Sequence, residues 1–258
     1  MAIYCDESCS KNPCCNHCLN YNFNGNENGA YTNNGFCGEL KEPKEPYEGD
    51  ECDEFICWMA QDLPDLDFPC SVNLIPFGSR VYGTAREDSD EDYICVLYGP
   101  RPIGFPKQAS VKDADYHIFG TFEFQAALDQ MEIHALEAYF HPLRRLKRYY
   151  EFNLDLPKLR KEISGKASNS WVKAKKKIDK EKDYMIGWKS LFHSFRILEF
   201  GIQIATKGEI YDFSCSNEIW NEILSMNSKK WKELDNRFRK RHKALSTEFR
   251  KVAPKEQI

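Results

Sequence analysis

The sequence predicts a mixed α/β (α+β) fold, a small mixed sheet in the first half followed by a helical domain. Three observations carry this. Tyr93-Ile94-Cys95-Val96-Leu97-Tyr98 is apolar without interruption, as in a strand buried on both faces. Phe124, Ala127, Leu128, Met131, Ala135, Leu136 and Tyr139 recur at helical spacing. From Lys158 onward the chain reads as helices separated by short turns.

Taken in order, residues 1–50 have little apolar periodicity and close on Lys41-Glu42-Pro43-Lys44-Glu45-Pro46, a linker-like run. Six of the eleven cysteines fall here, and Cys15-x2-Cys18 has zinc-ligand spacing among Cys5, Cys9, Cys14, His17 and Cys37. No second Cys-x2-Cys pair follows, so the expectation is a Cys- and Asn-rich disordered tail, with a Zn2+ module as the alternative. Glu54–Ala60 reads as a short helix, Val72–Phe77 as a first strand and Tyr93–Tyr98 as a second. Residues 99–106, rich in Gly and Pro, form a loop; Tyr116–Phe119 is a third strand, and one helix over 124–139 packs on the sheet. Three regions result: the tail (1–50), a catalytic domain (51–150) and a helical nucleotide- and substrate-binding domain (151–258).

Composition bounds the function. With 41% hydrophobic and 14% aromatic residues in 258, a sizeable core can form. No apolar run approaches the ~20 residues that cross a bilayer, and no secretory signal is visible. The expected location is therefore cytoplasmic or otherwise intracellular, not secreted, with reduced cysteines and no membrane partner. Residues 141–258 hold 28 Lys and Arg against 15 Asp and Glu, the rest 8 against 25. That asymmetry suits an acidic metal-holding half and a basic half that contacts polyanions, although solvated helix faces account for many of the charges. Arg144-Arg145-x-Lys147-Arg148, Lys173-x-Lys175-Lys176-Lys177 and Arg237-x-Arg239-Lys240-Arg241 are the densest basic runs.

The chemistry concentrates between the first two strands. Gly78-Ser79 can approach a phosphate closely through backbone N–H groups and the Ser79 hydroxyl, and Gly83 lets the segment turn. Asp90 and Asp92 alternate onto one side of a strand, where two hard oxygen ligands suit Mg2+ or Mn2+. The plainer reading is a turn with solvated acids, but acids at the mouth of a buried strand call for a counter-ion. Asp115 is the best-placed third carboxylate, with Asp113 nearby, and Glu137 reads as a partner for Arg80 or a lysine. Downstream, Lys189, His193 and Arg196 lie at i, i+4 and i+7 on one helix face, a cationic stripe able to grip triphosphate. Alternatively, His193 is an interior residue and the two cations pair with Glu199 or Asp212.

The string Gly78-Ser79-Arg80-x2-Gly83-x5-Ser89-Asp90-x-Asp92 resembles the active-site signature of DNA-polymerase-beta-like nucleotidyltransferases. The Gly-Ser-Arg form with Tyr82 is most similar to the predicted branch associated with RNA repair. Gly187-Trp188-Lys189-Ser190-Leu191-Phe192-His193-Ser194-Phe195-Arg196 and Gly208-Glu209-Ile210 are similar to that branch's helical half, so the likeness spans roughly residues 70–225. It implies a nucleotidyltransferase core. On that pattern Asp90 and Asp92 hold the metal and Asp115 joins them in catalysis, while Gly78, Ser79, Arg80, Lys189, His193 and Arg196 bind the nucleotide. It also implies the reaction: a nucleoside monophosphate passes from a nucleoside triphosphate, ATP first among them, to a hydroxyl of RNA or protein, with release of pyrophosphate. The competing expectation is a non-catalytic RNA- or zinc-binding module on a degenerate scaffold.

Overall fold

The computed structural model describes residues 21–22, 35–37, 42–44 and 72–256, apart from 88, 98, 102, 103, 105, 112, 113 and 143–145. The chain forms two compact units, one from Met1–Leu74, Cys95–Lys112 and Tyr116–Thr121, the other from Ile75–Ile94, Asp113–Asp115 and Phe122–Ile258. In the first, β1 (Tyr21–Asn22), β2 (Gly35–Cys37) and β3 (Glu42–Lys44) make a three-stranded antiparallel sheet, with Tyr21 opposite Cys37 and Phe36 opposite Pro43. The zinc expectation on Cys5, Cys9, Cys14, Cys15, His17 and Cys18, and the helix at 54–60, lie outside the described residues.

A four-stranded mixed sheet has the order β4-β5-β7-β6, from β4 (Val72–Phe77), β5 (Glu91–Leu97), β6 (Gln108–Val111) and β7 (Ala114–Phe119). β5 runs from half-buried to fully buried along its length, Ile94 through Leu97 being at most 2% exposed. That gradient is what its polar start and apolar end dictate. β6 had no strand signal because it is a short edge strand: Gln-Ala-Ser-Val supplies one β-branched residue, and an edge needs little apolar pattern.

The single helix expected over 124–139 is two. α2 (Thr121–Asp129) ends where Met131 takes a left-handed φ of 58°, and α3 (Ile133–Phe140) begins two residues later. Met131 donates its N–H to Leu128 O and Glu132 to Ala127 O, closing the first helix. The apolar stripe survives the break: Phe124, Leu128, Met131, Ala135 and Leu136 are all buried, which is why periodicity read through it.

The second unit is mainly helical, as the pattern after Lys158 predicts. α4 (Leu156–Lys176) is N-capped by Asp155, which accepts from Lys158 N at 3.0 Å, and runs into a π turn at Lys177–Glu181. α5 (Tyr184–Lys207) starts at the Asp183 cap and stops at Gly208 in the left-handed region. α6 (Asn217–Met226) and α7 (Trp231–Val252) complete it, and α5 packs against α4, α6 and α7. Trp188, Leu191, Phe192 and Phe195 of α5 meet Ile219, Trp220 and Ile223 of α6 and Trp231, Leu234 and Phe238 of α7 in one core. Each such side chain contributes ~1.5–3 kcal/mol by leaving water. Gly201 sets how closely these helices approach: a Cβ there would lie 2.7 Å from Ile163 and 2.8 Å from the Phe249 ring. Among the described residues no helix is long and apolar enough to cross a membrane.

Candidate functional site

The end of β4 delivers the chain into a sharp turn. Gly78 has φ 73°, and Val81 and Tyr82 both donate to its carbonyl, starting the four-residue helix α1 (Ser79–Tyr82). The second requirement for glycine is stricter than the dihedral. A Cβ at residue 78 would lie 2.0 Å from Asp92 Oδ2, so the bare backbone is what leaves room for that carboxylate. Gly83, also left-handed, closes α1 by donating to Ser79 O.

The loop after α1 is braced by Ser89. Its Oγ accepts from Arg86 N at 2.8 Å, its N–H donates to Arg86 O, and its carbonyl accepts from Arg80 Nη2 at 3.0 Å. Arg80, expected to bind nucleotide, is thus spent on the loop that presents the acids; it also lies 3.9 Å from Glu91, half-exposed to solvent. Screened by water, that pair is worth little.

Asp90, Asp92 and Asp115 line one cleft of about 440 Å³ with Gly78, Ser79 and Tyr82, and all of it lies in the second compact unit. Burial, then the carboxylates of Asp115 and Asp90, push the Asp92 pKa above its usual value, while Lys189 pulls it down. Asp115 and Asp90 thus both disfavour the ionised form of Asp92, and among the described residues no three His, Cys, Asp or Glu side chains are grouped so that they could hold a metal ion. Lys189, His193 and Arg196 line the same cleft from α5, so residues about a hundred positions apart in the sequence converge there.

The three α5 residues differ in state. Lys189 is exposed at the cleft. His193 keeps a pKa well below the usual imidazole value because burial and the positive charges of Arg196, Lys173 and Lys189 disfavour its cation, and its Nδ1 is buried without a partner. Arg196 is 4% exposed, lies face-on over the Tyr82 ring at 3.4 Å, and pairs with Glu137 Oε1 at 3.3 Å. Tyr82 donates its hydroxyl to Glu137 Oε2. Glu137 thus partners Arg196 rather than Arg80 or a lysine, and neither Glu199 nor Asp212 is the acid that Arg196 meets. Burial raises the Glu137 pKa against the opposing pull of Arg196 and Tyr82, and raises that of Tyr82 further. Arg196 Nε and Nη1 remain buried and unpartnered. α6 joins the arrangement through Asn217, whose Nδ2 donates to Tyr82 O at 2.9 Å.

Sequence reasoning missed Lys166 and Ser170 of α4, His134 of α3 and Trp220 of α6, all of which line the cleft. Lys166 and Ser170 sit at i and i+4, but so do many solvated residues of α4. No local signal separates those that face a cleft from those that face water. Comparison with protein-family models, with curated proteins and with solved structures yields no match.

Proposed function

We propose that the chain is a metal-dependent nucleotidyltransferase, moving a nucleoside monophosphate from a nucleoside triphosphate to a hydroxyl of RNA or protein. One observation carries the reading: a cleft with Asp90, Asp92 and Asp115 on one wall and Lys189 and His193 on another, entered by a glycine turn whose bare backbone abuts Asp92. The resemblance of Gly78-Ser79-Arg80 and Ser89-Asp90-Glu91-Asp92 to the polymerase-beta-like signature supplies the reaction class.

The donor type suits a hard divalent cation, although the three carboxylates as they stand are not gathered into a group that could hold one. It offers carboxylate oxygens without sulfur, and burial, then the charges of Asp115 and Asp90, raise the Asp92 pKa, a cost to the ionised form that a cation would relieve. Asp90 and Asp92 would hold Mg2+ or Mn2+, which when bound would neutralise phosphate charge and orient the triphosphate. Lys189 then meets phosphate as a point charge. His193, kept neutral, hydrogen-bonds phosphate or ribose and takes no part as an acid. The acceptor oxygen forms a bond to the α-phosphorus, the bond to the bridging oxygen breaks, and pyrophosphate leaves with the electron pair. Asp115 takes the hydroxyl proton in this scheme. Arg80 and the Tyr82–Glu137–Arg196 group act by positioning, the first on the acid-bearing loop, the second on α1.

The test is transfer of label from α-labelled nucleoside triphosphates to mixed RNA and protein in Mg2+ or Mn2+. The expected result is labelling by the wild type and none by Asp92→Asn, with both proteins folded. Equal labelling by the two, or none by the wild type with any nucleotide, overturns the assignment. Nucleotide binding without transfer would instead identify a binding-only module.

A further inference from the structure

We propose that a second cavity, between the first turns of α4 and the end of α7, is a phosphate-binding site separate from the acidic cleft. It has a volume of about 480 Å³ and is lined by Pro157, Arg160, Lys161, Ser164, Arg250 and Lys255. Four of the six are cations and none is an acid. The four residues of α4 fall at i, i+3, i+4 and i+7, hence on one face, near the helix start where the backbone dipole is positive. Lys166 and Ser170 of the same helix, which line the acidic cleft, point the opposite way at ~100° per residue, so α4 stands between the two cavities.

Within this pocket the cations have different tasks. Arg160 Nη1 donates to Arg250 O at 2.9 Å and Ala253 O at 3.0 Å, which satisfies the last carbonyls of α7 and fixes one wall. Lys161, Arg250 and Lys255 are exposed, and no ion pair binds them among the described residues. Ser164 adds a neutral donor: its hydroxyl is buried and lacks a hydrogen-bond partner. An unpaired hydroxyl beside three uncompensated cations is the donor set of a tetrahedral oxyanion, which accepts on every oxygen. The lining has no aromatic side chain and one apolar residue, Pro157, so it reads phosphate and neither base nor sugar. The ligand is therefore a free phosphate or a phosphate of a polynucleotide backbone. The inference stands apart from nucleotidyl transfer, and its test uses neither nucleoside triphosphate nor metal.

With EDTA present, thermal unfolding of the full chain is measured in inorganic phosphate and in chloride of matched ionic strength. The expected result is a higher unfolding temperature in phosphate for the wild type and for Asp92→Asn. The difference should disappear in Lys161→Gln/Lys255→Gln and persist in Lys232→Gln/Lys243→Gln, which removes the same charge from exposed positions of α7. Ser164→Ala should reduce it. A second arm titrates a labelled single-stranded oligonucleotide of mixed sequence at several salt concentrations. If the ligand is a strand, the pocket variant lowers the logarithmic salt slope by about 1.4, two contacts at ~0.7 each. If it is free phosphate, only the first arm responds. No phosphate-specific stabilisation together with an unchanged salt slope, or equal losses in the pocket and control variants, overturns the proposal.

Discussion

Two sets of charges stand within one cleft and are managed in opposite ways. The Tyr82–Glu137–Arg196 group is buried, and its charges answer one another: an ion pair, a hydroxyl donated to the same carboxylate, and a cation stacked on the donor's own ring. Asp90, Asp92 and Asp115 are half-buried to exposed, and ionised Asp92 is disfavoured first by its burial and then by the carboxylates of Asp115 and Asp90, with only Lys189 opposing them. Charges that close on themselves hold the fold, because removing either partner strands the other in a medium of low polarity. An ionised Asp92 that its surroundings disfavour holds free energy that, on the proposed function, a bound cation would release. Lys189 belongs with the second set although it shares a helix face with Arg196.

The comparison breaks first where the buried group is cut. Arg196→Ala should destabilise the protein by ~3–5 kcal/mol in a urea titration, since Glu137 loses its counter-charge. Protonation of Glu137, whose pKa burial already raises, limits the loss. Glu137→Gln should cost less because its side chain still accepts from Tyr82. A change below ~1 kcal/mol in Arg196→Ala would mean the pair is not the internal brace described. Next, Lys189→Ala should leave unfolding nearly unchanged and weaken nucleotide binding by roughly ten- to a hundredfold, as for a charge-assisted contact worth ~1.5–3 kcal/mol. Unaltered affinity with lowered stability would move Lys189 into the structural set.

The smallest effect concerns pH. The folded-state pKa of Asp92 lies above its value of 3.8 in the unfolded chain, so between those two values the native protein binds the proton more readily. Its contribution to stability therefore rises as the pH falls through that window, and at neutral pH the ionised group is unfavourable. Asp92→Asn should be slightly more stable than the wild type at pH 7, with the margin shrinking on acidification. A margin independent of pH would show that the acids do not sense one another.

The sequence by itself determined the strands β4 and β5, the acids at the mouth of β5, and the cationic stripe of α5. Each of these is a local pattern: an apolar run, an alternation or a helical spacing. It also determined the approach of backbone at Gly78, though not that the close neighbour would be Asp92. Other features were decided only in three dimensions. The break at Met131 is one, because a buried stripe continues across two helices as readily as along one. The division of labour on α5 is another. Lys189 and Arg196 are equivalent cations in the sequence, and what separates them is that Arg196 meets Glu137 and Tyr82, residues 59 and 114 positions away, whereas Lys189 meets the open cleft. The partner that neutralises a charge is set by packing between distant elements, and periodicity carries no record of it.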